Sequence, residues 1–185
     1  MNTDRLLHDE NEKNILLRTK RFNVQSMHEQ CTDGSSRTRE VVIHPGSVVI
    51  VPLVSAEEVC LIHVDRIAVG KKLIELPAGT LDRVESLSEA AFRELAEETG
   101  YSAGTLTPLG ALWMSPGVIR ERMHIFIAEN LKPGPQALEP GEKISPLVVP
   151  WSEAIAMCAD QRIQDAKTVA ALYLVNHWKT QKKFF

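Results

Sequence analysis

The stretch that decides the fold runs from Gly79 to Tyr101, GTLDRVESLSEAAFRELAEETGY. Ser86 is a good N-cap, Glu89 three residues on completes a capping box, and Gly100 stands where a left-handed C-terminal cap belongs. The spacing predicts a helix over about 87–99. At about 100° per residue, Leu87, Ala90, Ala91, Phe92 and Leu95 share one broad apolar arc that must face the core. Glu94 and Glu98 fall inside that arc and Glu97 lies at its edge, so the buried face turns acidic at its C-terminal end.

Two readings compete for these acids. An arbitrary helix of this composition would present a solvated face with ion pairs such as Arg93 with Glu97. The angular placement favours the other reading, because carboxylates aligned with a buried stripe are crowded and partly desolvated unless a cation neutralises them. A hard divalent ion suits them. Carboxylate oxygens, retained waters and phosphate oxygens are what Mg²⁺ favours, and no Cys/His cluster in the sequence competes for the role.

Gly79, then Glu85 after five residues, then seven more before Arg93-Glu94-Leu95-Ala96-Glu97-Glu98-Thr99-Gly100-Tyr101, resembles the Nudix hydrolase box GX5EX7REUXEEXGU. All nine specified positions over 23 residues are filled, with Tyr101 where an aliphatic residue is usual. Arg39-Glu-Val-Val, His44-Pro-Gly, Glu75-Leu-Pro-Ala-Gly, Ser115-Pro-Gly with Glu121 after it, and Asp165-Ala-Lys-Thr are similar to the ADP-ribose pyrophosphatase branch. Pro116, fifteen residues beyond Tyr101, matches that branch's downstream marker.

The resemblance implies an α/β fold: a Nudix-type α/β/α sandwich with mixed sheet and an N-terminal antiparallel strand extension. It also implies Mg²⁺ as cofactor, or Mn²⁺ in its place, held by Glu94, Glu97, Glu98 and the carbonyl of Ala78. Glu97 and Glu98 then count as catalytic together with Glu142, the expected general base, for which Glu139 is the alternative. Glu85 and Arg93 form a structural ion pair in the family. Arg66 is expected at a phosphate, Glu121 near the metals or the ribose, Arg39 and Glu40 at the nucleoside end, and Pro116 among the substrate-binding residues. The implied partner is a nucleoside diphosphate sugar, and the N-terminal strands are expected to join a homodimer.

Charge explains why such a site would work. A diphosphate linkage carries negative oxygens that repel a nucleophile, so hydrolysis needs cations at the phosphates and a positioned, deprotonated water. No Ser-His or Cys-His constellation offers a covalent route. His44 and His63 lie in apolar strands and read as packing histidines.

Bulk properties set the outer limits. With 185 residues and 44% hydrophobic content the chain buries one good core. A net charge of −3 gives no support for a nucleic-acid partner. Cys31, Cys60 and Cys158 are scattered, without metal spacing, which favours reduced packing residues in a cytoplasmic protein. Met1 to Asn14 lacks the apolar core of a signal peptide, and the longest apolar run, near Val48 to Val54, is too short to span a bilayer.

Along the chain, 1–44 reads as an arm and a β-hairpin, a dimerisation element, and 45–185 as the catalytic domain. Strands are expected over Ile15 to Cys31 and Arg37 to His44 around a Thr32-Asp-Gly-Ser-Ser turn, then at Val48 to Leu53, Val59 to Val64 and Lys72 to Leu76. Pro77-Ala78-Gly79 reads as a turn, and Lys132 to Gly141 as a mobile connection. Thr105 to Met114, Met123 to Glu129 and Ile144 to Val149 complete the strands. Trp151 to Ala159 and Asp165 to Trp178 are expected helices, the second with Val169, Leu172, Tyr173 and Val175 as its apolar face.

The expected activity is hydrolysis of ADP-ribose to AMP and ribose 5-phosphate. GDP-mannose or another nucleotide sugar is the alternative substrate. A non-catalytic Nudix-fold binding module is the alternative of another class, although such modules typically lose the box glutamates this chain retains.

Overall fold

The computed structural model describes residues 14–182, so the N-terminal arm lies outside the described residues apart from Asn14. The chain divides into two compact units. The first gathers the described part of Met1–Pro45 with Trp113–Arg122. Ile15–Arg18 (β1), Asn23–Gln30 (β2) and Ser36–Ile43 (β3) form an antiparallel ladder. The long strand expected from Ile15 to Cys31 is therefore two strands. Thr19 breaks it: its hydroxyl donates to the Phe22 carbonyl at 2.7 Å and accepts the amides of Arg21 and Phe22, the local side-chain bonding that makes Thr a turn former. The second turn is as expected, with Gly34 at φ 83° and Asp33 accepting the Ser35 amide at 2.9 Å.

The second unit holds Gly46–Leu112 and Met123–Phe185. Ser47–Ser55 (β4) is its central strand, buried from Ser47 to Leu53. It pairs antiparallel with Glu58–Arg66 (β5), which in turn pairs with Lys71–Glu75 (β6). Ala78–Thr80 (β7) also pairs with β4, placing Val48 opposite Gly79 and Val49 opposite Ala78. The expected Pro77-Ala78-Gly79 turn is thus a short strand. Pro77 ends β6, yet its carbonyl accepts the Ile50 amide at 2.9 Å and returns the chain to the sheet at once.

Leu87–Thr99 (α1) has the predicted limits. Ser86 and Glu89 form the reciprocal capping box, and Gly100 closes the helix at φ 76°, a left-handed conformation that glycine adopts without Cβ strain. Its inner face differs from the expected arc. Ala90, Ala91 and Leu95 pack against Val48, Ile50, Phe126 and Ala128, whereas Leu87 is 37% and Phe92 40% exposed. Two adjacent alanines let the helix lie close to the sheet. That contact narrows the buried stripe and swings the larger side chains at its margins toward water.

Tyr101–Ser102 (β8) follows, then Thr105–Ser115 (β9) and Ile119–Glu129 (β10). From Met123 to Ala128, β10 runs parallel to β4; its first residues, Ile119 and Arg120, run parallel to the end of β3 inside the first unit. Lys132–Pro133 (β11) pairs with β8. The connection expected to be mobile is tied down here: the Gln136 side chain donates to the Glu98 carbonyl at 2.6 Å, and the Ala137 amide to the Glu97 carbonyl at 3.1 Å. The open carbonyls at the end of α1 need donors, and this segment supplies two of them.

Ile144–Pro150 (β12) pairs along β5, and Trp151–Ala159 (α2) and Ala166–Lys182 (α3) follow. The buried face of α3 is Thr168, Ala171, Leu172 and Val175; Tyr173, expected there, is 45% exposed. With β4 buried on both faces, Val48 and Ile50 meet α1 and the alternating residues point the other way. The result is the expected mixed sheet with flanking helices. No helix among the described residues is long and apolar enough to cross a membrane.

Candidate active site

The acidic end of α1 faces β7 within the second unit. Gly79 is the point of closest approach: a Cβ there would fall 1.9 Å from Cδ of Glu94 and 2.0 Å from its Oε1. A side chain there would displace that carboxylate from its present position. One residue earlier, the Ala78 amide donates to Oε2 of Glu98 at 2.9 Å.

Arg93 binds three of the acids. Its guanidinium donates to Glu85 from Nη2 at 2.6 Å, and from Nη1 to Glu94 at 2.6 Å and Glu97 at 3.0 Å. Glu85 lies at the end of the loop from β7 and Arg93 on the second turn of the helix, so the pair fixes that loop against α1. These contacts hold the Glu85 carboxyl below the ordinary range and the Arg93 guanidinium above its own.

The inner acids are shifted the other way. Glu98 is 6% exposed, and burial pushes its carboxyl up to about 8 against the opposing Ala78 amide; the Glu94 and Glu142 charges add to the rise. Burial also raises Glu94, with Arg93 opposing and Glu97 and Glu142 reinforcing. Glu142 is thus close enough to be felt by both. Its Oε2 accepts the Glu139 amide at 2.8 Å, and Glu139 itself pairs with Arg83 at 2.9 Å. Leu138, packed on Ile62, Val64 and Ile144, anchors the approach to this loop.

Among the described residues, no three His, Cys, Asp or Glu side chains converge as a ready-made metal cage. Glu94 and Glu97 turn onto Arg93, and Glu98 onto the Ala78 amide. The donor chemistry nevertheless fits a hard divalent cation. The side-chain donors are carboxylate oxygens, and Glu94 and Glu98 are made harder to ionise first by burial and then by neighbouring carboxylates, which a cation would relieve.

Arg66 stands beside this group, felt by Glu98 as an opposing charge, with its fork bound to Glu75 by two bonds of 2.8 Å. Glu75 is 1% exposed and also binds Lys167. Burial pushes its carboxyl up, and Arg66 and Lys167 together overcome this and hold it below the ordinary range. Sequence reasoning passed over Glu75 and Lys167. Their signal was charged residues inside Glu75-Leu-Pro-Ala-Gly and Asp165-Ala-Lys-Thr, 92 positions apart, and no periodicity connects segments so far separated.

The remaining predicted residues belong to the first unit. Arg39 is exposed on β3, 3.4 Å from Glu29, and Glu40 is its exposed neighbour. Pro116 is exposed in the turn between β9 and β10, and Glu121 lies 3.7 Å from Nδ1 of His44.

Residues 43–172 match the NUDIX domain. The chain is 32% identical over 142 residues to the ADP-ribose pyrophosphatase of Bacillus subtilis, covering 76% of this chain and 77% of that protein. It is 34% identical over 168 residues to the ADP compounds hydrolase NudE of Escherichia coli, covering 87% of each. A crystal structure of an ADP compounds hydrolase superposes with a TM-score of 0.80 at 29% identity, over 91% of both chains. The box on α1, the match over 43–172 and these relatives show that the chain belongs to the NUDIX domain family.

Proposed function

We infer that this protein hydrolyses the diphosphate bond of ADP-ribose, giving AMP and ribose 5-phosphate, with Mg²⁺ as its cofactor. The observation that carries this reading is the buried carboxylate of Glu98, held by the Ala78 amide and raised by burial with the Glu94 and Glu142 charges adding, a setting that a bound cation would relieve. The names of the relatives support the substrate class.

Glu94, Glu97 and Glu98, with the Ala78 carbonyl, would hold the cation. When bound it supplies positive charge at the diphosphate and acidifies water. The chain's own residues do the rest. Arg93 and Glu85 keep the β7 loop against α1, so the backbone at Ala78 and the acids stay in register. Glu142 acts as the general base, a role supported by the influence of its charge on both Glu94 and Glu98. Arg66, oriented by Glu75, offers its remaining N–H groups to a phosphate. In the same reading 1–44 joins a homodimer, supported by the exposed Leu16 and Leu17 on β1.

A panel of nucleotide sugars in Mg²⁺ tests the reading. ADP-ribose is expected to yield AMP and ribose 5-phosphate faster than GDP-mannose yields GMP. The reverse order would move the substrate assignment to GDP-mannose, and no cleavage of any member would leave a binding module.

A further inference from the structure

Between β6 and β7 the Leu76 amide finds its acceptor at the start of α3 rather than in the sheet. Asp165 precedes α3 and accepts the Thr168 amide at 3.0 Å and the Thr168 hydroxyl at 2.6 Å through one oxygen, Oδ2. It is the cap of that helix. With its proton committed to Asp165, the Thr168 hydroxyl accepts the Leu76 amide at 2.9 Å. Thr168 is fully buried. Lys167, one residue before, joins Asp165 at 2.9 Å and also binds Glu75. Two residues of α3 and its cap therefore grip two successive residues, Glu75 and Leu76. Pro77 and Ala78 follow directly, and the Ala78 amide is the one that holds Glu98.

We propose that Thr168, with Asp165 and Lys167, is a positioning residue of the carboxylate site: it fixes Leu76 and, through the rigid Pro77, sets where Ala78 meets Glu98. The inference rests on the pyrophosphohydrolase reading for its catalytic consequence only. Pro77 has a locked φ and its carbonyl is tied to the Ile50 amide at 2.9 Å, so the link from Leu76 to Ala78 has little freedom to absorb a displacement. A buried Leu76 amide without an acceptor would seek another partner, and the strand would shift with it.

Thr168→Val removes the hydroxyl and keeps the branched shape; Thr168→Ser keeps the hydroxyl. In the full chain, Thr168→Val is expected to raise hydrogen exchange at the Ala78 amide about tenfold. It should also weaken calorimetric binding of Mg²⁺ alone, and lower kcat on ADP-ribose by a similar factor, with KM changed less than about twofold. Thr168→Ser is expected to restore all three. If Thr168→Val does not fold, Asp165→Asn replaces it, expected to move exchange and Mg²⁺ affinity in the same direction. Wild-type exchange and Mg²⁺ affinity in a folded Thr168→Val or Asp165→Asn protein would overturn the proposal, as would a loss that Ser fails to restore. Should the wild-type protein cleave no nucleotide sugar, the functional reading fails, and the exchange and Mg²⁺ measurements still decide this one.

Discussion

Replacing Glu98 with Gln is expected to lower turnover on ADP-ribose by roughly a hundredfold or more, the scale of losing a principal electrostatic contributor, while the protein stays folded. The amide retains an oxygen to accept the Ala78 N–H, so the contact at 2.9 Å has a successor. What disappears is the charge. The same substitution has an opposite effect on stability when no cation is added. Burial raises the Glu98 carboxyl from 4.5 to about 8, so the folded state binds that proton more tightly than the unfolded chain. The parental protein therefore loses stability as pH rises from about 4.5 through about 8, and Gln, which does not ionise, escapes that loss. Denaturation at pH 8.5 without divalent ions should find Glu98→Gln the more stable protein, and at pH 4 the advantage should be gone. A variant that turned over at the parental rate would remove Glu98 from the site.

Glu75→Gln is expected to destabilise the fold by about 3 kcal/mol, the low end of what breaking a buried ion pair from one side costs. Glu75 is 1% exposed, so its partners lose a charge that water cannot replace. The low end applies because Arg66 is 41% exposed and can turn to solvent, and Lys167 keeps Asp165. For comparison, Arg162 binds Glu153 and Asp160 with all three side chains 42% to 48% exposed, and deleting it should disturb the fold far less, because water replaces the partners it loses. The Glu75 effect has a pH signature. Its folded carboxyl lies below 4.5, so its contribution is present above that value and fades as pH falls through the lowered one. Urea titrations at pH 7 and pH 3 should show the gap between parent and Glu75→Gln narrowing in acid. A gap that is constant, or absent at pH 7, would mean that the pair contributes nothing.

Much of this was legible in the letters because it is local. The limits of α1 follow from Ser86, Glu89 and Gly100, and the hairpin turn from Thr32 to Ser36, all short-range rules of backbone bonding. The clustering of Glu94, Glu97 and Glu98 was equally plain, since their spacing sits inside one helix. Packing was not. Leu87 and Phe92 satisfy helical periodicity, yet only the closeness allowed by Ala90 and Ala91 decides which part of the arc is covered. Ala78 and Gly79 looked like a turn because β7 exists only through its pairing with β4, some thirty positions away. Lys132 to Gly141 looked free because its Pro and Gly content says nothing of the α1 carbonyls that await donors. Glu75, Lys167 and Thr168 were hidden for the same reason: their meaning lies in contacts between segments far apart in the chain.

The most direct test of the divalent-ion site is a calorimetric titration of Mg²⁺ into the parental protein and into a Glu94→Gln, Glu98→Gln double variant at pH 8. Saturable binding by the parent, weakened at least tenfold in the double variant, is the result predicted here. Equal binding by the two proteins, or none by the parent, would contradict it.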